Sequence, residues 1–482
     1  MTEYKLFAQR VGLIGITNLL VNLRGLILIP ILTKTLGAEG YGLWAQVIVT
    51  IALITALVTL GLSNAMVRFL AAERDRKEIQ EGFYSSSVLI FFVSLLASSI
   101  LFIFSEPIAA SLFGGATEVV KLIAVIIPFW NLDTTLFSLF TAFNQMKRYS
   151  IFRIAETFGE VGLVAYMVLS GFGIFGAVIS LLIIRIVIIF VMSVLVLKEI
   201  GVKIPDFSKL KPYLHFGLPL VPSIIFGWIA TSSDRYVIVY FLGLAPVGIY
   251  SAAYNISQAA IFMFLAPIRF VLFPTLSKLY DDNKIEEVKT HLSYSLKYFL
   301  MFAIPVTFGV SVLAKQILTI LATSEFVYTG SLVIPFVALS MVLSGFYSII
   351  GMILILVKKT KIYGLIWGMA ALTNLSLNVV LVPYIGILGA AIATLISCAI
   401  ASVITVCVSF KYLKFNVDLA FIVKSITASI IMALILWKWN PIGTLNVLVA
   451  IGVGAAIYFI ILILLKGVKR EEVGFIKNIF RM

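Results

Sequence analysis

Cysteine and histidine are almost absent from this chain of 482 residues, which holds two of each. Cys398 and Cys407 lie in one apolar stretch, so they predict neither a disulfide framework nor a metal site. His215 and His291 are far apart in sequence, and no cluster of Asp or Glu accompanies them. We therefore expect no metal site, no cofactor and no catalytic constellation.

Charge is also scarce. Charged residues make up 12% of the chain and apolar residues 61%, against about 25% and about 45–50% in soluble globular domains. A soluble domain of this size still needs a polar surface, so the composition predicts an integral membrane protein. The net charge of +14 would suggest nucleic acid in a soluble protein. Here membrane topology and anionic membrane lipids explain it better, and we expect no nucleic-acid partner.

The apolar residues are gathered in about fourteen long stretches, each near the ~20 residues of a membrane-crossing helix, which predicts an all-α protein. When the N-terminus and every second break are assigned to one side, that side receives most of the 36 Lys and Arg residues. The other side receives Lys34, Lys121, Arg235, Lys315 and Lys438. Cytoplasmic loops carry the Lys and Arg excess, so we expect a multi-pass protein of the cytoplasmic (inner) membrane with both termini in the cytoplasm.

The chain repeats itself across six predicted helices. The segment Leu36-Gly-Ala-Glu-Gly-Tyr-Gly-Leu-Trp44 is similar to Leu242-Gly-Leu-Ala-Pro-Val-Gly-Ile-Tyr250, and Ile174-Phe-Gly-Ala-Val-Ile-Ser180 is similar to Ile387-Leu-Gly-Ala-Ala-Ile-Ala393. Because six is even, both halves enter the membrane from the same side, which predicts a parallel repeat. We expect six-helix bundles at residues 1–200 and 201–412. Two additional transmembrane helices and a cytoplasmic tail follow at 413–482.

Ionisable side chains inside the apolar stretches cost several kcal/mol unless they are paired or hydrated, so each is a candidate functional residue. Glu156 and Glu160 lie one helical turn apart and share a face. Glu160 and Arg185 are expected at similar depths on neighbouring helices. For Asp133, Glu156, Glu160 and Arg185, a structural ion pair and a coupling role both stay open.

Four arginines predict an anion site. Arg24 has no acidic residue on its own predicted helix, so we expect it to face a hydrated cavity. Arg68 could instead act only as a topology determinant, and Arg235 and Arg269 could snorkel to the interfaces. Taken together, the four would attract an anion. Phosphate or pyrophosphate is the expected ligand, because a guanidinium donates two parallel hydrogen bonds to phosphate oxygens.

Several longer motifs resemble a known family. They are Pro30-Ile-Leu-Thr-Lys-Thr-Leu-Gly-Ala-Glu-Gly-Tyr-Gly-Leu-Trp44, Leu60-Gly-Leu-Ser-Asn-Ala-Met-Val-Arg-Phe69, the segment from Asp234-Arg-Tyr to Tyr254, and Phe273-Pro-Thr-Leu-Ser-Lys-Leu-Tyr280. This pattern resembles the polysaccharide exporters, the Wzx-type lipid-linked oligosaccharide flippases. They belong to the superfamily of multidrug, oligosaccharidyl-lipid and polysaccharide transporters. The similarity covers nearly the whole chain, although that family more often has twelve spans.

The resemblance implies two pseudo-symmetric bundles around a central cavity that opens alternately to each side. It implies a polyprenyl-(pyro)phosphate-linked oligosaccharide as substrate, moved to the external leaflet for cell-surface polysaccharides such as O-antigen. The head group would contact Arg24, Arg68, Arg235 and Arg269. Polysaccharide polymerase or ligase machinery would be a further partner.

Two other functions compete with this interpretation. A cation-coupled multidrug exporter of the same superfamily would line its cavity with acidic residues, and arginines outnumber carboxylates at depth only slightly. A membrane enzyme, such as a glycan polymerase or ligase, would need a sizeable external loop with catalytic residues. All external breaks are short, and flipping requires no bond chemistry, so we expect a transporter that is not an enzyme.

Overall fold

The computed structural model describes residues 3–467, with the side chains of residues 12–208, 210–269 and 271–467. The side chains of Lys5 and Arg10 and the predicted cytoplasmic tail at residues 468–482 lie outside the described residues. From residue 3 to residue 467 the chain forms helices and no strand. Within these residues, twelve continuous helical stretches are long and apolar enough to cross a membrane. The protein is therefore an all-α, multi-pass integral membrane protein.

The helices pack into two compact units. The first unit comprises residues up to Ser251 together with Trp367–Ala393. Its helices are α1 (Glu3–Val58), α2 (Leu62–Leu70), α3 (Arg76–Ile103), α4 (Ser105–Leu112), α5 (Thr117–Ala142), α6 (Met146–Met167), α7 (Gly173–Ile200), α8 (Leu210–Gly217), α9 (Val221–Leu242) and the start of α10 (Leu244–Asp281). Within it, α5 packs on α3 and α7, while α6 packs on α1 and α7. These contacts bring α1, α5, α6 and α7 together around the candidate site.

The second unit comprises Ala252–Ile366 and the chain from Thr394 onward. It holds the rest of α10, then α11 (Ile285–Val312), α12 (Ala314–Leu321), α13 (Ser324–Leu356), part of α14 (Thr360–Ile385) and of α15 (Ile387–Ser409), α16 (Leu419–Trp439) and α17 (Thr444–Leu464). Here α11 packs on α13 and α16, and α16 packs on α17. The units are defined by packing, whereas the predicted limits at residues 200 and 412 come from the repeat and stay a prediction.

The outward faces of these helices are apolar. Phe190 on α7 is 70% exposed and Leu464 on α17 is 74% exposed. A helix that is apolar on its exposed side as well as its packed side is typical of a membrane span, because lipid replaces water around it.

Glycine interrupts two of the twelve candidate spans. The run from Gly12 to Val58 has 47 residues, and that from Met146 to Ile200 has 55. The first is broken at Gly37 (φ 69°, ψ −171°) and the second at Gly171 and Gly173. Dividing both runs at these glycines gives fourteen spans. The count of about fourteen stays a prediction, because only the few residues around these glycines separate the two parts of each run.

Both sequence repeats recur in the backbone. Gly37 and Gly243 share one conformation, with ψ −171° and −172° and positive φ. Gly173 and Gly386, which precede the second pair of similar segments, have φ 59° and 63°. Only glycine adopts such angles readily, since it has no Cβ. The order α3, α4, α5, α6, α7 is matched by α11, α12, α13, α14, α15, and α4 and α12 both have eight residues. The chain therefore contains an internal structural repeat.

The first pair of similar segments also makes a reciprocal contact inside the first unit. A Cβ at Gly42 would overlap the carbonyl oxygen of Leu244, and a Cβ at Gly248 would overlap that of Ala38. Ala38 corresponds to Leu244 in the repeat, and Gly42 corresponds to Gly248. The two glycines thus let α1 and α10 approach backbone to backbone at their equivalent turns.

Candidate functional site

Six charged side chains form a network inside the first unit. They are Arg24 of α1, Asp133 of α5, Arg153, Glu156 and Glu160 of α6, and Arg185 of α7. The carboxylates are at most 4% exposed. All six lie on helices that are candidate membrane spans.

The first pair in the network joins α1 to α6. Arg24 Nη1 donates to Glu160 Oε1 at 2.8 Å, and the two side chains are 29% and 1% exposed. In the described part of the chain, this is the one hydrogen bond that the Arg24 guanidinium makes. Arg24 therefore combines a buried counter-ion with N–H groups that reach an accessible surface.

Arg185 lies at the centre of the network and is 3% exposed. Its Nη1 lies 3.5 Å from Glu160 Oε2, and its Nη2 lies 3.5 Å from Glu156 Oε1. Nη1 also donates to the carbonyl oxygen of Leu181 at 3.0 Å. The guanidinium stacks on the ring of Trp130, 3.4 Å from its centroid. Such stacking stabilises a cation that has lost its water.

Arg153 completes the network on the other side of Glu156. Its Nη1 donates to Glu156 Oε2 at 2.7 Å and lies 3.9 Å from Asp133 Oδ2. The guanidinium lies over the ring of Phe137, 4.5 Å from its centroid. Arg153 and Glu156 are three residues apart on α6, which places them on one face of that helix.

The network contains three guanidiniums and three carboxylates. Fully ionised, it has no net charge, so mutual attraction offsets the cost of placing each ion in a membrane span. The network could bind an anion if a phosphate group replaced a carboxylate as the partner of a guanidinium. Phosphate and carboxylate can each accept two parallel N–H hydrogen bonds from the same guanidinium. Among residues 3–467, no group of three His, Cys, Asp or Glu side chains is placed to hold a metal ion.

The other predicted substrate-binding arginines have different neighbours. Buried Arg235 of α9 pairs with Asp234 at 2.7 Å, and the hydroxyl of Tyr250 donates to the same carboxylate. Exposed Arg68 of α2 lies over the ring of Phe216, 4.6 Å from its centroid. Arg269 of α10 is exposed and belongs to the second unit. The structure brings Arg24 together with Asp133, Glu156, Glu160 and Arg185. Substrate binding by the four arginines, and a coupling role for the three carboxylates and Arg185, stay predictions.

Sequence reasoning missed Arg153 and Trp130 as members of the network. The alternation of charge assigns Arg153 to the cytoplasmic side, together with Lys147 and Arg148, whereas the structure places it in the second turn of α6. Its place three residues before Glu156 was the available signal. No comparable signal pointed to Trp130, since contact with Arg185 depends on how α5 packs on α7.

Comparison with known proteins identifies the family of this chain. A sequence model of the family described as "Polysaccharide biosynthesis protein" matches residues 7–280, more than half of the chain. The chain belongs to this family. The matched region contains all six residues of the network.

Several proteins similar in sequence to this chain are named as flippases. The chain is 27% identical over 258 residues to the probable low-salt glycan biosynthesis flippase Agl15 of Haloferax volcanii, covering 53% of each chain. It is 30% identical to the probable flippase AglR of the same organism, covering 58% of this chain and 61% of that one. It is 26% identical to the lipid III flippase of Escherichia coli, covering 63% and 74%. The chain thus spans little more than half the length of the first of these relatives.

Solved structures show the same fold. The lipid II flippase MurJ, in an inward closed conformation, matches with a TM-score of 0.80 at 19% identity, over 92% of this chain and 97% of that one. An inward-facing multidrug resistance MATE transporter matches with a TM-score of 0.66 at 18% identity, over 81% and 93%. At these identities the likeness shows only that this chain shares its fold with MurJ and with MATE transporters.

Proposed function

We propose that the protein is a flippase for a polyprenyl-(pyro)phosphate-linked oligosaccharide. It moves the glycan and phosphate head from the cytoplasmic to the external leaflet by alternating access, for cell-surface polysaccharide biosynthesis. The lipid tail stays in the bilayer, and no covalent bond is made or broken. The membrane is the cytoplasmic membrane, with both termini in the cytoplasm, and a polysaccharide polymerase or ligase receives the product.

Family membership supports this function more than it supports multidrug export. Two of the relatives reported above are named for glycan biosynthesis and for lipid III, and MurJ is named for lipid II. Each of those names describes a lipid-linked or glycan cargo. The fold is shared with multidrug transporters, so the fold alone does not separate the two functions.

The observation that supports the proposal most directly is the environment of Arg24, which is partly exposed and paired with one buried carboxylate. A guanidinium that is 29% exposed and held by one buried carboxylate sits midway along an apolar span. A phosphate oxygen pair binds the same donors as a carboxylate, with charge assistance. In the proposed mechanism, the phosphate head contacts the accessible N–H groups of Arg24 and shares or replaces Glu160 as its counter-ion.

The first experiment is deletion of the gene, followed by mass spectrometry of the lipid-linked intermediates. We expect a polyprenyl-linked oligosaccharide to accumulate while its surface polymer disappears, and the mass of that lipid identifies the cargo. Unchanged intermediates together with new sensitivity to cationic dyes would instead assign the protein to multidrug export.

Complementation of that strain tests the role of Arg24. Loss of one or two charge-assisted hydrogen bonds weakens binding by about 10–100-fold. We therefore expect Arg24→Ala to leave the intermediate accumulated and Arg24→Lys to restore part of the export. Arg148→Ala is the matched control, since Arg148 also pairs with a glutamate but is 46% exposed. Normal export by an Arg24→Ala protein that is present in the membrane would refute this role.

A further inference from the structure

One carboxylate of the network lacks a close partner. Asp133 is 3% exposed, and its Oδ1 has no hydrogen-bond partner among the described residues. Its Oδ2 lies 3.9 Å from Arg153 Nη1, which is beyond the range of a hydrogen bond. A buried carboxylate in this condition has lost its water without gaining a donor.

The two glutamates differ from Asp133 in this respect. Glu160 accepts a hydrogen bond of 2.8 Å from Arg24, and Glu156 accepts one of 2.7 Å from Arg153. Arg185 lies between them at 3.5 Å from each. The network contains three guanidiniums and three carboxylates, but Asp133 is the one carboxylate that accepts no hydrogen bond from any of the three arginines.

The charged groups facing Asp133 come from α6 and α7. They are Arg153, Glu156 and Glu160 on α6 and Arg185 on α7. The two glutamates repel a negative charge on Asp133, and both arginines are shared with those glutamates. Loss of hydration and nearby negative charge both disfavour the ionised form of a carboxylate. A buried carboxylate without a hydrogen-bond donor avoids this cost most simply by binding a proton.

We infer that Asp133 is a proton-binding site within the membrane-spanning part of the protein, and that its occupancy sets the net charge of the network. With Asp133 ionised, three positive charges face three negative charges. With a proton on Asp133, three guanidiniums face two carboxylates, and the network carries one net positive charge. The added proton then bonds to Asp133 itself, and no other group changes its protonation.

This charge links the proton to the anion. The linkage rests on the proposed function, because it takes the phosphate head as the ligand of Arg24. A network with one net positive charge attracts phosphate more strongly than a neutral one. Since linkage is reciprocal, anion binding also favours proton uptake at Asp133. Affinity for the anion therefore rises as pH falls, by at most about tenfold per pH unit for one linked proton.

Infrared spectroscopy of the full chain in lipid nanodiscs tests the proton site without any substrate. We expect the carbonyl band of a protonated aspartic acid, assigned by isotope labelling of aspartate, to be present in the wild-type protein and to fade as pH is raised. Above about pH 6, where aspartates with an ordinary pKa of about 3.9 are ionised, Asp133→Asn should lack this band. Glu118→Gln, an exposed acid on the same helix, should retain it. A wild-type protein without the band, or an Asp133→Asn protein with it, overturns the inference.

Binding of inorganic pyrophosphate to the same preparations tests the linkage. Pyrophosphate itself titrates, so Asp133→Asn supplies the reference pH profile. We expect wild-type affinity to approach that of Asp133→Asn at acid pH and to fall below it as pH rises. Parallel profiles overturn the linkage. If the wild type binds no pyrophosphate while the infrared band behaves as expected, the anion role of Arg24 fails and the proton site stands.

Discussion

Among the charged residues of the network, the guanidinium of Arg185 is held by the most contacts. It touches two carboxylates, a backbone carbonyl and the ring of Trp130. Lysine cannot reproduce this set, because an ammonium is not planar and does not stack on an indole. The side chain therefore contributes to the packing of α5, α6 and α7 as well as to charge balance.

Removing Arg185 should destabilise the protein. Arg185→Leu leaves Glu156 and Glu160 with one cation fewer, and breaking a buried ion pair costs about 3–5 kcal/mol. We expect a lower thermal unfolding temperature in detergent, with Arg185→Lys between the two. Arg148→Leu, at the exposed pair with Glu199, should change it little. An unfolding temperature for Arg185→Leu equal to the wild-type value would contradict this assignment.

Glu160 should compete with the anion for Arg24. Glu160→Gln keeps the shape of the side chain but removes its charge, so Arg24 loses its counter-ion. We expect pyrophosphate affinity to rise about tenfold, the equivalent of ~1.4 kcal/mol. Isothermal titration of the purified protein measures it, with Glu118→Gln as control. A fall in affinity would show that Glu160 positions Arg24 and does not compete for it.

At the scale of helices, the contact between α1 and α10 depends on two glycines. Gly42 and Gly248 face backbone carbonyl groups that leave no room for a methyl group. Substitutions there must push the two helices apart, since neither carbonyl can move alone within a helix.

We expect Gly42→Ala and Gly248→Ala to cost about 1–3 kcal/mol each through overpacking. Because the contact is reciprocal, the two costs should be similar, and the double substitution should cost less than their sum. Gly227→Ala on α9 is the control, since a Cβ there meets no atom within 4 Å. Thermal unfolding measures all four variants. Additive losses would mean that the two glycines act independently.

Helices were the most predictable elements of this fold, because a membrane span must satisfy its own backbone hydrogen bonds and so extends through each apolar stretch. The similarity of Leu36–Trp44 to Leu242–Tyr250 predicted an equivalence that the backbone angles at Gly37 and Gly243 confirm. Their mutual contact was not predictable, since a repeat defines which residues correspond and not which residues touch.

The site was predictable only in part. The helical rise placed Glu160 and Arg185 at similar depths, and their side chains do meet at 3.5 Å. The sequence predicts that Arg24 faces a hydrated cavity, because its predicted helix contains no acidic residue. Its partner Glu160 lies 136 residues away, so only packing reveals it. Asp133 looked equivalent to the glutamates in sequence, and its missing partner depends on where Arg153 points.

For the whole molecule, the distribution of Lys and Arg predicts which ends of the helices face the cytoplasm. Lys315 and Lys438 are expected outside and Lys358 inside, and all three are exposed. Single cysteines at these positions, after Cys398 and Cys407 are replaced by serine, should report this arrangement. A membrane-impermeant maleimide should label Lys315→Cys and Lys438→Cys in intact cells, and Lys358→Cys only after permeabilisation. The reverse pattern would place the termini outside.

The ion pair between Arg24 and Glu160 also constrains how the protein is made. Arg24 enters the bilayer with the first helix, at an insertion cost of about 2.5–3.5 kcal/mol. Its partner is synthesised 136 residues later, which takes about 7–27 s at ordinary elongation rates. During that interval Arg24 has no Glu160 to pair with, and the apolar residues of the first helix must offset its insertion cost. The charge of Arg24 is thus neutralised within the protein only when α6 has been synthesised and packs on α1.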